Sequence, residues 1–190
     1  PDYQVGDLET VKANTVDLLG INYYQPRRVK AKETPIDHTH GIMPDDFFDN
    51  YEMPGKKINP YRGWEIYEKG IYDILTNVRE NYGNIDCFIS ENGMGVEGEE
   101  RYRNADGQID DDYRIDFVKD HLKYVHQAIQ EGSHCLGYHM WTCMDNWSWT
   151  NAYKNRYGFI SVDLDNDCQR TIKKSGHWFK QVADKDGFED

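Results

Sequence analysis

No stretch of this 190-residue sequence approaches the run of ~18 apolar residues that a membrane-spanning helix needs, so no span is expected. Cysteine is scarce. Cys87, Cys135, Cys143 and Cys168 are the whole complement, and none forms the Cys-x-x-Cys pair typical of a metal site. Three of the four lie in apolar runs, where a buried, reduced thiol is the ordinary outcome, which suits a cytoplasmic protein. Positive charge is short as well: 22 Lys and Arg stand against 34 Asp and Glu, a net charge of −12. Such a chain repels nucleic acid and anionic membrane surfaces, so neither is an expected partner. Any phosphate-binding site in it has to be locally basic. The opening Pro1-Asp2-Tyr3 has no initiator methionine and no basic region followed by an apolar one. No signal peptide is read there, and the chain is expected to be cut from something larger.

What is present in quantity is aromatic. Fourteen tyrosines and five tryptophans help bring the aromatic share to 14%. Such rings suit surfaces that stack on sugars, and they suit ordinary cores equally well. Three short apolar runs, Val16 to Tyr23, Ile85 to Ser90 and Leu136 to Trp141, read as buried parallel strands. Between the first two, apolar residues at Ile66, Ile71, Ile74, Leu75 and Val78 predict a helix over 64–82, stopped by Gly83. Between the second and third, Asp111-Asp112 opens a helix whose apolar stripe is Ile115, Phe117, Val118, Leu122, Val125, Ala128 and Ile129. Gly132 is placed to take its left-handed cap. Ile172 to Val182 reads as a closing helix. Strand and helix in strict alternation predict a parallel α/β architecture, while three strands cannot close a barrel. Residues 25–63 and 92–110 are long and polar, as function-bearing loops at the carboxyl ends of barrel strands would be.

Three strand ends carry chemistry. Ile89-Ser90-Glu91-Asn92-Gly93 finishes an apolar strand with a carboxylate and a sharp turn, which puts Glu91 at the sheet's carboxyl edge. A glutamate merely opening an exposed loop is the plainer alternative. Gly20-Ile21-Asn22-Tyr23-Tyr24 offers an amide and phenols that could bond a sugar hydroxyl and a carboxylate. Tyr138-His139-Met140-Trp141, followed by Asp145-Asn146-Trp147-Ser148-Trp149, offers Trp141 as a face for a pyranose ring, or simply as a cap on the core.

Together these segments resemble glycoside hydrolase family 1. In that family a Glu-Asn-Gly segment carries the nucleophile on the seventh strand of a (β/α)8 barrel, matching Ile89 to Gly93. Gly-x-Asn-Tyr-Tyr ends the sixth strand, matching Gly20 to Tyr24. Gly-Tyr-x-x-Trp-Ser-x-x-Asp-Asn ends the eighth, matching Gly137 to Asn146 with Thr142 at the serine's place. Gly63-Trp64-Glu65-Ile66 and Arg156-Tyr157-Gly158-Phe159 also look like family segments, and the match runs in register from about Val16 to Phe179. The resemblance implies that residues 1–190 are a single partial domain, the carboxy-terminal part of a TIM barrel comprising about strands six to eight with their helices. It implies retaining cleavage of β-glycosides by two carboxylates about 5 Å apart, with Glu91 as nucleophile and Tyr24 holding it. Asn22 and Trp141 would contact the sugar. The family's acid/base sits in an Asn-Glu-Pro segment that does not occur in this sequence. The chain is therefore expected to be roughly the last two-fifths of the enzyme and inactive alone.

Most members carry glutamate where this sequence has Ser148. A small hydroxyl removes a charge that would repel a 6-phosphate. This resembles the branch that acts on 6-phospho-β-glucosides and 6-phospho-β-galactosides, in which a serine, a lysine and a tyrosine of this loop hold the phosphate. Ser148 and Tyr157 match. The lysine of that branch stands two before the tyrosine, where this chain has Asn155, and Lys154 stands three before. Either Lys154 reaches the phosphate, or Asn155 substitutes as a neutral donor, or Lys154 is a solvated surface residue. Trp149, an aromatic after Ser148, resembles the galactoside branch. The implied substrate is a 6-phospho-β-glucoside, with a 6-phospho-β-galactoside, or both, as the alternative. An unphosphorylated β-glucoside and a non-catalytic carbohydrate-binding half-barrel are the further readings. The resemblance calls for no cofactor and no metal. His38-x-His40, with Asp37, Asp45 and Asp46 nearby, reads as a solvated loop. Uptake of a phosphorylated sugar implies the cytoplasm, and a homo-oligomer stays open.

Overall fold

The computed structural model describes residues 2–33 and 43–189; Asp37, His38 and His40 lie outside them. Three strands form one parallel sheet: β1 (Leu19–Asn22), β2 (Cys87–Asn92) and β3 (Cys135–Met140), in that spatial order. Leu19 pairs with Cys87 and Ile21 with Ile89, then Cys87 with Cys135 and Ile89 with Tyr138. A seven-residue helix α1 (Asp7–Ala13) precedes the sheet and buries nothing. Helices α2 (Lys69–Asn81) and α3 (Asp112–Gln130) make the crossovers, and α4 (Lys174–Lys185) closes the chain. Each strand therefore returns parallel to the last through a helix, the repeating unit of α/β barrels.

One face of the sheet is covered and the other is not. On the covered face Ile21, Tyr23, Cys87, Ile89 and Cys135 meet Ile71, Leu75 and Val78 of α2 and Val125 and Ala128 of α3. Full burial of such side chains contributes about 1.5–3 kcal/mol each, which makes this layer the main driving force for the unit. Gly70 lets α2 approach closely, since a Cβ there would lie 2.0 Å from the Tyr23 hydroxyl. On the opposite face Ser90 Oγ donates to Asn22 Oδ1 at 2.6 Å, and Phe88 meets His139 edge-on at 5.4 Å. No helix packs there among the described residues, and Leu136 is 67% exposed. A second apolar cluster lies towards the carboxyl ends of the strands. Met94, Val96 and Met140 pack on Phe117 and Val118 of α3, with Phe159 stacked on Phe179 of α4 at 4.8 Å.

Several boundaries differ from the periodicity. The helix read over 64–82 begins only at Lys69, because Trp64–Glu65 pairs antiparallel with Ile58–Asn59 instead. The closing helix starts at Lys174, because Gln169–Ile172 pairs with Ile160–Asp163 as a hairpin. Val16 and Leu18 are exposed, and pairing begins where Leu19 N–H reaches the carbonyl of Asp86 at 2.9 Å. In α3 the stripe is as read except at Ile129, which is exposed on the last turn. Gly132 takes a φ of +99° after it. Only Cys87 and Cys135 are buried; Cys143 and Cys168 are exposed, one more than the apolar runs suggested. The described parts of the long polar loops hold short hairpins, Val29–Ala31 with Phe48–Asn50 and Ile58–Asn59 with Trp64–Glu65, while Val96–Glu97 pairs with Asn155–Arg156.

Candidate active site

The carboxyl ends of all three strands are tied together by one side chain. Asn92 is fully buried; its amide donates to the Tyr23 carbonyl at 2.7 Å, and its oxygen accepts from the Tyr138 hydroxyl at 2.6 Å. Backbone bonds reinforce the junction, from Tyr23 N–H to the Glu91 carbonyl at 2.8 Å and from Trp141 N–H to the Asn92 carbonyl at 2.7 Å. The glycines that follow are required by close approach. A Cβ on Gly93 would lie 2.1 Å from the Trp141 carbonyl oxygen, and one on Gly95 would lie 2.3 Å from the ring of Tyr157.

Glu91 is half-buried beside this junction, and Tyr24 Oη donates to its Oε2 at 2.6 Å. Burial, then the Glu91 carboxylate itself, pushes the Tyr24 phenol well above its ordinary range. Tyr24 is thus a fixed proton donor that orients Glu91 and disperses its charge without titrating near neutrality. Trp64 stands edge-on to Tyr24 at 5.7 Å.

Glu91 opens into a cavity of about 420 Å³ lined by Tyr24, Arg62, Trp64, Trp141, Asn146, Trp147, Ser148, Trp149, Thr150 and Tyr157. Glu91 is its one carboxylate among the described residues. Trp149 is 99% exposed at the rim. Ser148 is held in a tight turn by paired backbone bonds with Ala152 at 2.9 and 3.0 Å. Tyr157 is buried, which raises its phenol, while the charges of Arg62 and Arg114 oppose that rise. A wide face of indole beside a single oriented carboxylate suits a pyranose ring, apolar on its faces and polar at its edges.

Six of the residues singled out from the sequence meet here: Tyr24, Glu91, Trp141, Ser148, Trp149 and Tyr157. Three do not. Asn22 lies on the open sheet face, its oxygen engaged by Ser90. Lys154 is 59% exposed outside the cavity and pairs with Glu97 at 3.4 Å. Asn155 is buried in the short strand beyond the Ser148 turn, where its oxygen accepts from Asn151 at 2.5 Å and its amide nitrogen has no partner. Five wall residues, Arg62, Trp64, Asn146, Trp147 and Thr150, were not read as site residues. Trp64 had a signal in its Gly-Trp-Glu segment; Arg62, one cation in a long polar loop, had none. Glu65 of that segment turns the other way and is gripped by Arg28 through bonds of 2.7 and 2.8 Å.

The loops that carry the wall are anchored from behind by buried charge. Arg114 donates to Asp111 at 2.8 Å, to the carbonyls of Met94 at 2.6 Å and Tyr157 at 3.1 Å, and to Glu99. Lys173 donates to Asp145 at 3.0 Å and to Glu99, and Gly158 N–H reaches Asp145 at 2.9 Å. Asp111 also accepts from Ser175 at the start of α4, through N–H at 2.8 Å and hydroxyl at 2.6 Å. The carboxylate expected only to open a helix therefore joins α3 to α4, and through Arg114 it is linked to the loops of Met94 and Tyr157.

The chain is similar in sequence to two phosphoglycosidases and in fold to a solved β-glucosidase. Over 99% of its length it is 69% identical to the 6-phospho-β-glucosidase GmuD of Bacillus subtilis, and over 96% it is 35% identical to a 6-phospho-β-galactosidase of Staphylococcus haemolyticus. It spans about 40% of the length of each. A β-glucosidase from Thermotoga maritima, solved with castanospermine, superposes with a TM-score of 0.77 at 33% identity, over 93% of this chain and 36% of that one. Residues 1–188 match the pattern of glycosyl hydrolase family 1, and with the strands, turn and cavity above this makes the chain a member of that family and its α/β unit part of a TIM barrel.

Proposed function

We propose that this chain is the nucleophile-bearing portion of a retaining 6-phospho-β-glucosidase. The observation that carries the reading is Glu91, set at the end of β2, oriented by the 2.6 Å bond from Tyr24 and facing a tryptophan-walled cavity that Ser148 and Tyr157 also line. Glu91 attacks the anomeric carbon while the bond from that carbon to the aglycone oxygen breaks, and the leaving oxygen takes a proton from a second carboxylic acid. Water then displaces Glu91, giving its proton to that second carboxylate. The second carboxylate is assigned to barrel residues outside this sequence, since the cavity contains no other among the described residues. Ser148 is the substrate filter: a neutral hydroxyl leaves room for a phosphate dianion that a carboxylate would repel. The names of the relatives support the substrate class, the nearest in identity of those given above being a 6-phospho-β-glucosidase. Trp149 on the cavity rim favours a second reading, in which the galacto isomer is also accepted. A phosphorylated sugar substrate places the enzyme in the cytoplasm, and among the described residues no helix is long and apolar enough to cross a membrane.

The test is a full-length barrel in which these residues follow the amino-terminal portion of the Bacillus subtilis relative. It is assayed with 4-nitrophenyl β-glucoside 6-phosphate, its galacto isomer and both unphosphorylated parents. Preference for the phosphorylated pair is expected, with the gluco form ahead. Cleavage of only the unphosphorylated sugars would overturn the substrate assignment, and no cleavage at all would favour a carbohydrate-binding role.

A further inference from the structure

A phosphate dianion in a chain of net charge −12 needs a cation aimed into the cavity, and the lysine of the 145–158 loop does not supply one. Lys154 lies outside, paired with Glu97. Among the described residues the cation that does line the cavity is Arg62, on a different loop. We propose that Arg62 is the residue that grips the substrate's 6-phosphate, opposite Ser148 and beside Tyr157, in place of a lysine from the 145–158 loop; this rests on the phosphoglycosidase reading above.

Arg62 is held ready, hydrogen-bonded to the Tyr157 phenol and paired with no carboxylate among the described residues. Its guanidinium lies over the Trp64 ring at 4.4 Å, which fixes its plane. Its backbone sits in a turn closed by the bond from Gly63 N–H to the Asn59 carbonyl at 2.8 Å, with Gly63 at a φ of +69° that favours glycine. Asn59 pins that turn to the loop after β2 by donating to the Gly95 carbonyl at 2.9 Å. Arg62 therefore shares one rigid mount with Gly95, the residue against which the Tyr157 ring packs. The buried arginine behind the wall differs, since all three of its nitrogens donate to protein acceptors. Arg62 has no ion pair with any described residue, and its Nε is buried with no acceptor. An arginine whose face is stacked and whose charge no carboxylate meets keeps a flat donor edge of the kind that binds a phosphate through two parallel bonds.

The experiment uses the full-length barrel and compares Arg62→Gln, Arg62→Lys and Lys154→Gln with the unsubstituted enzyme. The measured quantity is the ratio of kcat/KM for 4-nitrophenyl β-glucoside 6-phosphate to that for the unphosphorylated glucoside. Competitive inhibition by glucose 6-phosphate is measured alongside. Arg62→Gln is expected to lower the ratio by roughly 10- to 100-fold, chiefly through KM, and to weaken glucose 6-phosphate inhibition by a similar factor. Arg62→Lys is expected to recover part of both, and Lys154→Gln to change the ratio by less than about twofold. If Arg62→Gln depresses both substrates equally, the residue merely supports Trp64 and the inference is overturned. A ratio lost in Lys154→Gln and kept in Arg62→Gln overturns it too. An unsubstituted enzyme without preference for the phosphorylated sugar fails earlier, on the substrate class itself, and takes the inference with it.

Discussion

Two arginines stand on opposite sides of the same wall. Behind it Arg114, fully buried, has Asp111 and Glu99 for counter-charges and three backbone carbonyls besides. In front of it Arg62 has an indole to lie on and no counter-charge among the described residues. The buried region is overcommitted: Lys173 is added to Arg114, and Glu99, Asp111 and Asp145 to each other, with Tyr113 and Ser175 donating to what remains. Burying charge is costly unless every lone pair and proton is matched, so the gain from such a cluster is one unique geometry for the groups it touches. Those groups include the backbone of Met94, Arg156 and Tyr157. Matched charge sets the wall in place, and unmatched charge in front of it is kept for a ligand.

The contrast is open to test by substitution. The largest effect is expected from Glu91→Gln in the full-length barrel. Activity should fall on the order of 10⁴-fold or more, while the amide oxygen still accepts from Tyr24 and the urea midpoint barely moves. A loss of stability matching the loss of activity would mean that the cavity and the scaffold are not separable. Next comes one substitution made twice. Arg114→Met strands buried carboxylates and should cost about 3–5 kcal/mol in urea unfolding, whereas Arg62→Met should cost under ~1 kcal/mol. Equal costs would place Arg62 in the scaffold and dissolve the comparison.

Smaller is Gly95→Ala. Its methyl would meet the Tyr157 ring at 2.3 Å, and the strain of displacing that ring should cost about 1–3 kcal/mol. The cavity should register the change as a higher KM for phosphorylated substrate, and an unaltered KM would show that the position of Tyr157 is immaterial to binding. Least of all is Lys154→Gln. The exposed pair with Glu97 should be worth under ~1 kcal/mol, and a larger destabilisation by thermal melting would mean that the loop leans on it.

How much of this was legible without coordinates varied with the range of the interaction. The three strands were visible because a buried parallel strand is a short apolar run whatever its neighbours do, and their ends pointed to Glu91 and Tyr24. Helix starts were read too early at Trp64 and Ile172. Each residue has the right spacing for a helix and was claimed instead by a distant or neighbouring strand, Ile58–Asn59 in one case and Ile160–Asp163 in the other. Asn22 lies on the open side of the sheet with its oxygen engaged by Ser90, while Tyr24, two residues on and past the strand's end, reaches Glu91.

The 145–158 loop shows the same division. Ser148 and Tyr157 could be placed by local order, but Lys154 could not, because a long side chain goes where its counter-charge is, and Glu97 lies on another loop. Arg62 was invisible for the complementary reason: it gains meaning only from Trp64 beneath it, Tyr157 beside it and the lack of a carboxylate paired with it among the described residues. Period and local order, which need only neighbours in the chain, determined the α/β alternation and the strand ends, and the resemblance of those ends to known segments pointed to the family. Which charges are matched and which are left for a ligand depends on groups tens of residues apart, and only the folded chain could decide it.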